Sequence, residues 1–262
     1  MKYSKAFKYQ LNDVKASVIT FYCVMIGIAI LLSSIITLNV SNVKGDAIGI
    51  DAATPVFLFI LSLCIFSTNF SFLNQNGVSR RTMVLSCFAM FATIAGIMLA
   101  IDIIYTTFMI ILCELFGGEY ATLFDSMYYF GAKEPKSDYI NTLMYLPSVS
   151  QKLIRIAVNI IFNYVSYIAA AVTGYFISIV FYRLTKLWRI IVFIIIPVVL
   201  LNSSYSIYRL GKPFFDNISR WLDRNIFNSP TGTIISMLIW IVAFGTLSYI
   251  IATRASLKPK KE

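Results

Sequence analysis

Histidine is absent from this chain of 262 residues, and only 13% of its residues are charged. The first absence removes the Ser-His pair, imidazole metal ligands and the His-Glu-x-x-His helix of intramembrane metalloproteases. Cysteine is scarce as well: Cys23, Cys64, Cys87 and Cys113 stand singly inside apolar runs. Neither a disulfide framework nor a zinc spacing is present, and the thiols read as small apolar side chains. No glycine loop ending in Lys-Ser/Thr occurs, so the chain holds no P-loop ATPase site of its own. Asp102 is the one ionisable group deep in an apolar run, which leaves a carboxylate dyad without its second member.

What is present is apolar surface. Hydrophobic residues make up 58% of the chain, and its charged share falls well below the roughly 25% of soluble globules, so an integral membrane protein is expected. The formal net charge of +10 would suit a nucleic-acid binder, but its distribution argues against one. Lys2, Lys5, Lys8, Lys15, Arg80, Arg81, Arg183, Lys186, Arg189, Arg254, Lys258, Lys260 and Lys261 all fall on one side of the spans drawn below, opposed only by Asp13 and Glu262. That asymmetry marks the cytoplasmic side and places both termini inside. The partner it implies is a membrane, with no nucleic acid.

Taken in order, residues 1–16 read as a basic amphipathic helix in the cytoplasmic interface. Tyr3, Ala6, Phe7, Leu11 and Val14 share one face, and Lys5, Lys8, Asn12 and Lys15 share the other. The apolar run that follows is too long for a signal peptide and has no cleavage site, so it is expected to be retained as the first span. Spans are expected over about 18–40, 54–72, 82–112, 154–182, 190–207 and 231–252, which gives an all-α, six-span, single transmembrane domain covering residues 1–262. The third run stays apolar to Phe116, longer than a bilayer core needs, so it must tilt, break or project. Outer segments are expected at 117–152, rich in tyrosine and phenylalanine, and at 208–230. In the second of these, Phe214, Phe215, Ile218, Trp221, Leu222 and Ile226 form an apolar helical face.

Between the second and third spans lies a short polar break, Asn74, Gln75, Asn76, Gly77, Val78, Ser79, Arg80 and Arg81. An amphipathic leading helix, six spans, this turn with its glycine and paired arginines, and an amphipathic outer segment before the last span together resemble the membrane subunit of an ABC-2 type ABC transporter. The likeness is one of layout over nearly the whole chain. The local match is Asn76-Gly77-Val78-Ser79-Arg80-Arg81, similar to the loop such permeases dock onto their ATPase.

That resemblance implies a permease half of a bacterial plasma-membrane exporter and a coupling helix within residues 74–81. It also implies a cytoplasmic ATP-binding subunit in two copies and a second permease subunit, identical or different. ATP and Mg would sit on the partner, and no cofactor, metal site or catalytic residue is expected in this chain. Gly77 is expected to let the backbone turn and the arginines to meet carboxylates or carbonyls of the ATPase. Arg183, Lys186 and Arg189 are candidates for a second cytoplasmic contact. An amphipathic or lipophilic cargo, such as a membrane-active or antimicrobial peptide, fits apolar spans free of buried basic groups.

Path-lining candidates are Asp102, Glu114, Asn159 and Asn163, the asparagines sharing a helical face with Ser166 and suited first to interhelical hydrogen bonds. The alternative reading is a membrane sensor or assembly protein, or a secondary transporter, working without an ATPase.

Overall fold

The computed structural model describes residues 2–38, 47–48, 50–116, 120–128, 149–185 and 229–254, with positions 191, 217, 221–222 and 226 between them. Its helices are α1 (Lys2–Leu38), α2 (Ala53–Gln75), α3 (Arg80–Phe116), α4 (Leu123–Tyr128), α5 (Val149–Arg183) and α6 (Pro230–Thr253). A 3-10 turn, Ile50–Ala52, leads into α2. Two short strands, β1 (Ala47–Ile48) and β2 (Tyr120–Ala121), pair in parallel. Five of the helices carry stretches long and apolar enough to cross a membrane.

Helix ends follow local chemistry. Pro55 lies in the first turn of α2, where its missing N–H costs no helical bond. Ser229 caps α6, its hydroxyl accepting from the Gly232 N–H at 3.1 Å, with Pro230 as the first helical residue.

The expected division between an interfacial helix at 1–16 and a span from 18 does not appear, because α1 runs unbroken from Lys2 to Leu38. Lys15-Ala16-Ser17-Val18 contains neither glycine nor proline, so the change is in side-chain character and the backbone continues. From Ala6 to Val14 its apolar stripe faces protein, while Tyr3 is exposed. Ala6 and Val14 are buried, and Gln10 on the same stripe donates to the Met83 carbonyl of α3 at 3.4 Å.

Contacts between helices give each one a direction. Gln10 meets Met83 and Tyr22 meets Met98, so α1 and α3 run together. Tyr167 reaches Asp102 while Tyr182 packs on Phe66 and Phe70 near the other end of α2, so α5 runs opposite to α3. Thr253 meets Arg80, and Trp240 donates to the Thr173 hydroxyl at 2.9 Å, so α6 runs in the same direction as α5. The end of α5 and the start of α6 therefore stand at opposite ends of the bundle. Apart from position 191, the expected span at 190–207 lies outside the described residues, as do most of the expected outer helix at 208–230 and all of the stretch 129–148.

Helices α2, α3 and α5 form the core, and α1 and α6 flank it with largely exposed apolar faces. Around Tyr175 the core is aromatic, with Phe66, Phe88 and Phe91 at 5.5 to 5.7 Å edge-to-face. Helices α2 and α5 approach closely. Gly174 presses its backbone against the Phe59 carbonyl and the Ser62 hydroxyl, and one turn on, Ser178 donates to the Leu63 carbonyl at 2.6 Å.

The long third run neither breaks nor ends at Asp102. Helix α3 continues to Phe116, about 20 Å beyond Asp102 at 1.5 Å per residue. Helix α2, by contrast, begins beside that carboxylate.

Candidate functional sites at the two ends of the bundle

At one end the polar break forms a tight hairpin. Helix α2 runs to Gln75, residues 76–79 turn, and α3 starts at Arg80. Gly77 has φ of 68°, a left-handed conformation that a side chain disfavours. Three backbone bonds close the turn: Asn76 N–H to the Phe72 carbonyl at 3.2 Å, Gly77 N–H to Asn74 at 3.1 Å, and Val78 N–H to Leu73 at 3.0 Å. Asn76 also donates its side-chain amide to Phe72 at 2.8 Å, and the Ser79 hydroxyl caps α3 by accepting from Thr82 N–H at 3.2 Å. The resemblance implies a coupling helix in this loop; the described turn contains none, since four residues bent at Gly77 leave no length for one.

The hairpin flanks are clamped. Tyr9 of α1 stacks on Phe72 at 4.4 Å, and Arg80 Nη1 donates to the Thr253 carbonyl at 3.4 Å. Arg80, expected to reach an ATPase, is thus used within the chain to hold the last turn of α6, where a cation also offsets the negative end of the helix dipole. Gln75, Asn76, Gly77, Ser79 and Arg81 are exposed at the tip, with Asn74 and Val78 half-buried. Replacing Gly77 with alanine is expected to cost about 1 to 2 kcal/mol and asparagine less, read from thermal unfolding of the purified chain.

At the level where α2 begins, Asp102 is buried among hydroxyls. Tyr22 of α1 donates to its Oδ1 at 2.8 Å and Tyr167 of α5 to its Oδ2 at 2.6 Å. Thr54 of α2 adds a third hydroxyl hydrogen bond, so groups from four helices meet at one carboxyl. Tyr22 has a single proton and two acceptors in reach, Asp102 and the Met98 carbonyl at 3.1 Å. An ionised Asp102 accepts that proton. A protonated Asp102 donates to the Tyr22 oxygen while Tyr22 turns its own proton to Met98. The same heavy-atom positions serve either form.

Sequence reasoning reached Asp102 but missed Tyr22, Thr54 and Tyr167. Each is a lone hydroxyl in an apolar run, a signal that exists but does not say which helix it will face. Asn159 and Asn163, suited on sequence to interhelical bonds, instead bond to each other along α5 at 2.9 Å. The remaining candidates are placed only in part. Glu114 belongs to α3 but its side chain lies outside the described residues, Arg183 is exposed at the end of α5, and Lys186 and Arg189 also lie outside them.

Five membrane-length apolar helices packed side by side define a multi-pass helical membrane protein. In comparisons with known proteins the chain matches no family model, and no curated protein or solved structure matches it significantly.

Proposed function

We propose that the chain is the permease half of an ATP-driven exporter, pushed at the 74–81 hairpin by a separate nucleotide-binding subunit. The observation that carries this reading is mechanical: an exposed tip whose flanks are fastened to helices on both sides. Through Tyr9 and Gln10 the hairpin is joined to α1, and through Arg80 to α6, so a load on the tip moves four helices together. A loosely tethered loop would absorb that load. Six spans with both termini cytoplasmic accord with the shared direction of α5 and α6, and with Lys5, Lys8, Arg80, Arg81, Arg183 and Arg254 lying toward one end of the bundle. Two such chains and two ATPases in the plasma membrane of a bacterium would form the full transporter, with an amphipathic or lipophilic cargo such as a membrane-active peptide.

The coupling element is then the hairpin tip itself, with the exposed Arg81 as its cation donor to the ATPase. In cells, Arg81→Glu is expected to lower co-purification of a nucleotide-binding subunit at least tenfold and leave the unfolding temperature unchanged. Arg80→Ala is expected to lower the unfolding temperature as well, because it releases α6. Copurification that survives Arg81→Glu with Asn76→Glu sinks the proposal.

The Asp102 cluster favours one other reading, transport driven by a proton gradient. It would be preferred if Asp102→Asn abolished uptake or efflux in a chain purified without any ATPase.

A further inference from the structure

Beside the hairpin lies a cleft of about 520 Å³ between the first turn of α3 and the last turn of α6. Ser79, Arg80, Arg81, Tyr249, Ile250, Thr253 and Arg254 line it. Three arginines therefore border one volume, and among the described residues none of its lining is acidic.

We infer that this cleft binds a phosphate group, and that the phosphate is carried by an anionic phospholipid. Guanidinium forks match the paired oxygens of a phosphate, and Ser79 adds a hydroxyl-bearing residue to the same lining, whereas the Thr253 hydroxyl donates to the Tyr249 carbonyl of its own helix. Arg80 spends part of its donor capacity on the Thr253 carbonyl, while Arg81 and Arg254 are exposed. The carbonyl end of α6 would by itself repel an anion. Arg80 and Arg254 flank that end and reverse the local sign.

The lipid source follows from the other wall. Ile250 is 47% exposed and borders the cleft together with Tyr249, giving an apolar side that a free phosphate has no use for and that a glycerol and the start of an acyl chain can cover. The cleft also stands at the terminus of α6, a membrane-length helix, where headgroups are found. Neither sidedness nor an ATPase is needed for this site, so it stands or falls apart from the exporter reading.

The test uses the isolated chain in detergent, titrated separately with phosphatidylglycerol, phosphatidylcholine and inorganic phosphate, with binding read by native mass spectrometry and by the unfolding temperature. Phosphatidylglycerol is expected to bind at least tenfold more tightly than phosphatidylcholine, and Arg81→Gln with Arg254→Gln to remove that preference. Arg183→Gln, a cation outside the cleft, is expected to preserve it. Protection by inorganic phosphate equal to that by phosphatidylglycerol, and lost in the same double variant, would keep the phosphate site and overturn the lipid source. Equal phosphatidylglycerol binding by wild type and the double variant, or equal loss in Arg183→Gln, overturns the site. Should the double variant fail to fold, Ile250→Asp supplies the test: it must abolish phosphatidylglycerol binding while the three arginines remain.

Discussion

Changing Gly174 to alanine is expected to destabilise the bundle by about 3 kcal/mol, even though glycine to alanine inside a helix ordinarily stabilises by up to about 1 kcal/mol. The sign inverts because the added Cβ meets the Phe59 carbonyl and the Ser62 hydroxyl across the α2–α5 contact, and a backbone carbonyl cannot swing aside as a long side chain would. Relief requires the two helices to move apart, which also stretches the Ser178 bond to Leu63. Gly245→Ala provides the internal control, since nothing lies within 4 Å of its Cβ position. Gly96→Ala adds a second, its nearest neighbour being the Tyr164 ring at 3.9 Å. Both are expected to be neutral or slightly stabilising. Reversible unfolding in mixed detergent would rank the three; a Gly174→Ala protein as stable as Gly245→Ala would show that the α2–α5 contact is not as close as described.

The second large effect is expected at Asp102. Tyr167→Phe takes a donor from a buried carboxyl oxygen, and leaving a buried polar group without its partner costs about 1 to 3 kcal/mol, so a loss near 2 kcal/mol is expected. Tyr22→Phe is expected to cost less, because the Met98 carbonyl it also serves is already bonded within α3. The decisive comparison is made in Asp102→Asn, where the carboxylate that Tyr167 bonds is gone. There the cost of Tyr167→Phe should fall by about 1 kcal/mol or more, a coupling that a double-mutant cycle measures directly. Strictly additive losses would mean that the hydroxyl and the carboxyl contribute independently, and that the four-helix junction is packing alone. Because α1, α2, α3 and α5 all send a group to this point, its loss should also loosen α1 first, the helix with the least buried surface among the four.

The hairpin and the junction differ in how far they could be read in advance. Residues 76–79 were legible because turn chemistry is local: Gly77 supplies the left-handed backbone and Ser79 the cap within a few residues of each other. The junction was not, since Tyr22, Thr54 and Tyr167 lie 80, 48 and 65 residues from Asp102. Arg80 shows the same boundary. Its position beside a turn was plain, but its bond to Thr253, 173 residues away, depends on where α6 happens to dock.

By itself the sequence determined the membrane class, the approximate limits of α2, α3, α5 and α6, the turn between α2 and α3, and the absence of a P-loop, because apolar run length, charge and turn residues act over a few residues at a time. Only the tertiary structure decided that α1 is one helix lying against α3, that Arg80 holds α6, and that one carboxyl gathers hydroxyls from three other helices. Those outcomes depend on the register and rotation of helices against one another, which close packing sets through glycine contacts and ring interlocks that hydropathy leaves open.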